Sequence, residues 1–192
     1  MSTSATAAAP SPASTSPPAS VDPKLIVPLV NSVRAVFNTM VKVEVTILRP
    51  HLKDSTSVTY DVSGIIGLSG DLIGSIVVSF QMEAAAKLVS AFAGMPLDPK
   101  GPDFPDAVGE LANMIAGGAK KAFGVMASIT TPNVIIGSGH SVARLSDVPC
   151  VVIPCQTSVG NFAVEVSIKQ VGGIAGIAGA AGADKKASGG AQ

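Results

Sequence analysis

The same order of patterns occurs twice along this chain: an amphipathic helix, a strand, then a hairpin. In the first copy, Leu25, Ile26, Leu29, Val30, Val33, Val36, Phe37 and Met40 recur at spacings of three and four, the period of one helix face. Asp22 suits the cap of that helix and Pro23 its first turn, while Pro28, one turn in, predicts a kink or a late start. Val41 to Ile47 alternates apolar and polar residues, the mark of a half-buried strand. Arg49-Pro50-His51 ends it, and a polar loop follows to Ser57. Two strands, about 58–68 and 72–80, then meet at a Ser69-Gly70-Asp71 turn.

The second copy repeats this order. A connecting helix over 81–93 turns Met82, Ala85, Ala86, Val89 and Phe92 inward and ends at Gly94, a natural C-cap. Pro96, Pro99 and Pro102 mark a loop, and the major helix of the chain follows over 103–123. Asn133 to Ile136 is a short strand behind Pro132. A last hairpin, 148–157 and 161–169, turns at Val159-Gly160. Helices that punctuate antiparallel strands in a duplicated αβββ unit predict an α+β domain, its antiparallel-rich sheet covered by helices on one face.

The 103–123 helix carries the chemistry. Asp103 is its expected N-cap, with Pro105 in the first turn and Asp106 favoured there by the helix dipole. On a 3.6-residue wheel Phe104, Val108, Leu111, Ile115, Ala119 and Ala122 share the core face. Asp106, Glu110, Asn113 and Gly117 fall on the opposite face, flanked one turn on by Lys120 and Lys121. The chain has only four glutamates, and Glu110 stands one turn before an asparagine on this face. By itself an E-x-x-N pair reads as an ordinary solvated surface. Gly109, Gly117 and Gly118 sharpen the question, because each costs about 1 kcal/mol relative to Ala inside a helix. Glycines beside a polar pair let the backbone of another molecule approach.

Composition narrows the partners. The chain has 192 residues, formal net charge zero, 4% aromatic residues and no Trp. Such a surface lacks the basic footprint of nucleic-acid or anionic-membrane binding and the rings of a base-stacking platform. No 18-residue apolar run spans a membrane, and the N-terminus lacks the parts of a signal peptide. Cys150 and Cys155, five apart in a strand, point to opposite faces about 16 Å apart and cannot bridge. Free thiols suit a reducing, cytoplasmic setting. His51 and His140 are isolated, so no metal site is expected, and His140 in its Gly-Ser-Gly-His turn reads as a solvated loop residue. The glycines at 64, 67, 70 and 74 lead into a strand with no Gly-Lys-Ser/Thr, which argues against a phosphate loop.

Four segments in order carry a family resemblance: Ile66-Gly-Leu-Ser-Gly-Asp-Leu-Ile-Gly-Ser75, Phe92-Ala-Gly-Met-Pro96, Val108-Gly-Glu-Leu-Ala-Asn-Met-Ile-Ala-Gly117 and Pro132-Asn-Val-Ile-Ile-Gly137. Together they resemble the CheX branch of the CheC/CheX/FliY phosphatases, from about Lys24 to Gln170. Only the second helix carries the Glu/Asn pair, which is similar to CheX rather than CheC. In the first helix Asn31 matches Asn113, but Pro28 stands where a glutamate would be. The resemblance implies a hydrolase acting on the phospho-aspartate of a CheY-like receiver domain. Asn113 would position the attacking water, Glu110 would pair with a receiver lysine, and Asp106, Gly117, Lys120 and Lys121 would lie at the partner surface. It implies no cofactor on this chain, with Mg²⁺ on the receiver. The family's dimer through sheet edges is a form open to this chain. The alternative is a non-catalytic receiver-binding or structural adaptor in chemotaxis or motility signalling.

The expected organisation is a disordered Ala/Pro/Ser tail over 1–21, the phosphatase domain over 22–170 and a Gly/Ala-rich low-complexity tail over 171–192.

Overall fold

The computed structural model describes residues 23–54, 60–143 and 147–171. Readings of the two tails, of Asp22 as a cap and of the strand start at 58–59 lie outside the described residues. The elements run α1 (Pro23–Val36), a π turn (Phe37–Val41), β1 (Thr46–Ile47), β2 (His51–Leu52), β3 (Val62–Gly70), β4 (Leu72–Phe80) and α2 (Met82–Ala93). Then come α3 (Asp103–Ala122), β5 (Ala127–Ile129), β6 (Asn133–Ile136), β7 (Val151–Thr157) and β8 (Gly160–Gln170).

One antiparallel sheet joins all the strands in the order β1-β7-β8-β4-β3-β5, with β2 also on β7 and β6 also on β3. The last strands of the two copies, β4 and β8, pair along their whole length at the centre, from Leu72↔Gln170 to Phe80↔Phe162. The copies also exchange their first strands. β1 and β2 of the first copy pair with β7 of the second, and β5 and β6 of the second pair with β3 of the first. The duplicated αβββ unit is therefore present, with its halves interlocked.

Even-numbered residues of β4 and β8 face the helices. Leu72, Ile76, Val78, Phe80, Phe162, Val164, Val166 and Ile168 form one core with Leu29, Val33 and Phe37 below α1 and Phe104, Val108, Leu111 and Ile115 of α3. Phe37 stacks on Phe162 with centroids 4.6 Å apart, and Phe80 stacks with Phe162 at 5.3 Å. Within α2, Ala85 and Val89 are buried as the period predicts, but so are Ala84 and Leu88, while Met82, Ala86 and Phe92 are half-buried. Gly94 ends α2 in the left-handed conformation.

Several local expectations are corrected. α1 runs through Pro28 without a break and then widens into the π turn, closed where the Lys42 N–H reaches Phe37 O at 2.7 Å. The alternation over 41–47 is real in burial, yet only Thr46 and Ile47 join the ladder. His51–Leu52, read as loop, pairs with β7 after a bulge in which the first-copy strand carries the extra residue. Pro154 of β7 falls in that break, and its carbonyl still takes the Leu48 N–H.

His140 is not a solvated loop residue. It is half-buried, with Nδ1 2.7 Å from Gly137 O and Nε2 2.9 Å from Ser63 Oγ. A carbonyl only accepts, so Nδ1 donates to Gly137 O, while Nε2 and the Ser63 hydroxyl share a hydrogen bond. Ser63 Oγ donates to Ser79 Oγ at 3.1 Å, and the Tyr60 N–H donates to Ser79 Oγ at 2.8 Å. This chain fixes the loop after β6 on the sheet face away from the helices. That face also holds a buried ion pair, Lys53 Nζ to Glu165 Oε1 at 2.6 Å. Both cysteines are buried and unbridged, and burial pushes the Cys155 thiol up to about 12.

Candidate active site on the third helix

α3 reaches its place because two glycines in different elements let it pack closely. A side chain at Gly64 of β3 would put its Cβ 2.7 Å from Ala112 Cβ and 3.3 Å from Val108 O. At Gly109 a Cβ would stand 3.1 Å from Pro132 Cγ. α3 thus lies against β3 and the segment leading into β6, as close as a backbone without side chains allows. Across α1, Gly118 faces Ser32, whose hydroxyl donates to Ile115 O at 2.7 Å and would collide with any added Cβ.

These contacts correct the reading of the three helix glycines. Gly109 is buried and serves packing inside the domain, while Gly118 is exposed at the groove but has Ser32 where a side chain would go. Of the three, Gly117 has room for a side chain, with Ile129 Cδ1 3.8 Å from the position of a Cβ. The cap also differs: Pro102, itself in the helical region, precedes the first turn, and Asp103 lies within it beside Asp106. There Asp103 acts on the dipole instead of capping an N–H. The core face is wider than the wheel predicts, because α3 touches α1, α2 and the sheet: Gly109, Ala112 and Ala116 join it. Ala122, at the helix end, is exposed.

The predicted polar stripe is on the outside. Asp106 and Glu110 are exposed, and Asn113 and Gly117 are half-buried. Asn113 Nδ2 faces Glu110 Oε2 at 3.4 Å, a long hydrogen bond between adjacent turns. This partner orients the amide, directing its NH₂ to the carboxylate and leaving Oδ1 to accept from elsewhere.

The stripe crosses the helix between two depressions instead of lining one. Asp106 and Glu110 border a hollow of about 500 Å³ with Pro105, Gly109, Pro132 and Val134. Asn113, Gly117 and Lys121 border a groove of about 550 Å³ toward α1 and Ile129. Lys120 is half-buried and lines neither. Missing from the sequence-derived set are Pro28, Asn31 and Ala35, which form the α1 wall of that groove. The match of Asn31 to Asn113 in the duplication was the available signal. Among the described residues no three His, Cys, Asp or Glu side chains gather as a metal site, and no helix is long and apolar enough to cross a membrane.

With this geometry in hand, comparison places the chain among known proteins. Residues 62–156 match the family described as chemotaxis phosphatase CheX. The chain is 29% identical to the CheY-P phosphatase CheX of Thermotoga maritima over 121 residues, 61% of this chain and 78% of that one. The crystal structure of chemotaxis protein CheX from Desulfovibrio desulfuricans is similar with a TM-score of 0.69 and 32% identity, covering 77% of this chain and 99% of that one. A CheC-like superfamily protein from Shewanella sp. PV-4 gives 0.71 and 29%, covering 78% and 99%. The duplicated, interlocked sheet, the single E-x-x-N helix and a relative matched over nearly its whole length agree: this chain belongs to the CheX family of chemotaxis phosphatases.

Proposed function

We propose that this chain hydrolyses the phospho-aspartate of a CheY-like receiver domain, with Asn113 positioning the attacking water and Glu110 docking a receiver lysine. The observation that carries the reading is the Glu110–Asn113 contact on the outer face of α3, at the lip of a groove, in a chain of this family. With its NH₂ turned toward Glu110, the amide has an oxygen left to hold a water by one of its hydrogens. An amide is no base near pH 7, and little is needed: phosphoryl transfer passes through a loose transition state in which position and charge neutralisation dominate. Water oxygen bonds to phosphorus as the bond to the aspartate oxygen breaks, and the products are inorganic phosphate and a free carboxylate. Mg²⁺ belongs to the receiver substrate, where it neutralises the phosphoryl oxygens.

The direct test mixes the full chain with each candidate phosphorylated receiver and follows phosphate release. Release accelerated over the receiver's own rate is the expected result. Tight binding with no acceleration would make the chain an adaptor.

Glu110→Ala is expected to act on docking. The apparent affinity for the phosphorylated receiver should fall, and added salt should narrow the gap between wild type and variant, because a steering charge pair is screened. Equal affinity and an equal salt response in the two proteins would remove Glu110 from the docking role.

Gly117→Leu separates an outer surface from a packed one. With open space beside Gly117, leucine should keep or raise stability by about 0.5–1 kcal/mol through helix propensity while hindering the receiver. Gly118→Leu, one residue on, should instead lose about 1–3 kcal/mol by overpacking against Ser32. Melting curves and release rates on both variants check the assignment. A destabilised Gly117→Leu with normal activity per folded molecule would put the partner surface on another side of α3.

A further inference from the structure

α1 is the first copy's counterpart of α3, and the two helices share one groove. On one wall stand Pro28, Asn31 and Ala35; on the other stand Asn113, Gly117 and Lys121. The Ser32 hydroxyl ties the two helices together by donating to Ile115 O at 2.7 Å. Pro28 and Asn31 hold the places that Glu110 and Asn113 hold on α3. α1 therefore offers an amide without the acid that orients its counterpart, next to proline and an exposed alanine.

We infer that α1 is a docking wall for the receiver: the domain that presents its phosphoryl group to Asn113 also lays an apolar side chain into the α1–α3 groove, and each chain takes one receiver. This rests on the role proposed for Asn113 above. Continuity supplies the argument. Asn113 is at once the water-positioning amide and part of the groove's wall, so a protein-sized substrate that reaches it from solvent covers the groove as well. Between Asn31 and Asn113 the groove is faced mainly by Pro28, Ala35, Met114, Ile129 and two glycines, and such a surface fits an apolar side chain. The charge that does stand at its edge, Lys121, suits the acidic surroundings of a Mg²⁺-binding phosphorylation site. The first copy of the duplicated unit has in this way exchanged a second reactive pair for a binding surface. One receiver then covers both Asn31 and Asn113, which sets the stoichiometry.

The experiment fills the groove from the α1 side. Ala35 is exposed, so Ala35→Trp, with Ala35→Leu as the smaller alternative should tryptophan lower the melting temperature, occupies the space without entering the core. Phosphate release is measured over a range of phosphorylated receiver. The expected result is a rise in KM of about tenfold or more, equivalent to 1.4 kcal/mol of docking, whereas Asn113→Ala loses kcat. Titration of phosphorylated receiver into the Asn113→Ala chain, which holds the substrate without turnover, is expected to saturate at one receiver per chain. A wild-type KM in both Ala35 variants, or two receivers per chain, would overturn the inference and leave the role of Asn113 standing. Absence of accelerated release by the wild-type chain from every receiver would instead overturn the phosphatase reading on which it rests.

Discussion

Asn113→Ala is expected to cut the acceleration of receiver dephosphorylation by about a hundredfold or more, because a reacting water displaced by even 1 Å loses about that much. The same change should leave the melting temperature unchanged or slightly higher. Asn113 is only half-buried, its amide makes a long 3.4 Å contact to Glu110, and alanine is the better helix former. Asn113→Gln makes the test stricter. It keeps an amide and lengthens its reach by one methylene, so a position-dependent role should leave it nearly as inactive as alanine. Phosphate release and melting curves on the two variants decide. An Asn113→Ala chain that is folded and fully active would exclude the residue from the reaction.

The largest expected effect on stability lies elsewhere, at Gly74 in the central strand pair. Its φ of +141° is a conformation that residues with side chains rarely adopt. A Cβ there would run into Ser167 O and come within 2.9 Å of Ile168 Cα, both backbone atoms of β8. No flexible side chain can turn aside to make room, so relief requires β4 and β8 to move apart. Gly74→Ala is expected to cost about 4 kcal/mol, the sum of a strained backbone and overpacking. For a domain of this size that lowers Tm by about 10 °C. Urea unfolding of Gly74→Ala and wild type side by side measures it; a midpoint equal to wild type would mean that the central ladder has slack at this point. This glycine is the strongest reason to read the 64–74 series as packing and turn chemistry, with Gly70 at φ +100° making the hairpin.

How much of this was legible follows from where each signal came from. The duplicated order, the exposed Glu110–Asn113 stripe and the α+β class rested on long periodic segments, in which many residues report one face. The segments that went unread are short. β2 has two residues and β5 three, too few to show a period, and each exists because the other copy offers an edge to pair with. Gly109 and Gly118 were misread for a related reason: on a helical wheel a glycine that admits Pro132 or Ser32 looks the same as one that admits another molecule. His140 gave no sign of Ser63, 77 residues away, because their bond depends on how the loop after β6 folds back. Glu165 alternates with apolar neighbours as if it faced water, yet the far face of β8 is covered and Lys53 pairs with it there. The α1 wall was half-visible. The duplication matched Asn31 to Asn113, but only the antiparallel meeting of the copies brings the two to one groove.

The sheet order bears on how the protein is made. β8 is the last strand of the domain to be synthesised, and it lies in the middle of the sheet between β7 and β4. Until residue 170 has left the ribosome, the β3–β4 hairpin and α1 to α3 wait without the strand that carries Phe162, Val164, Val166 and Ile168. From the completion of β4 until β8 emerges, the nascent chain therefore holds an unpaired β4 edge beside an uncovered apolar face, a surface that invites association with other chains. Folding is completed after translation of the domain, through contacts between residues as far apart as Leu72 and Gln170, and such long-range closure is slow. Truncation anywhere before β8 should yield aggregated protein in place of a smaller working one.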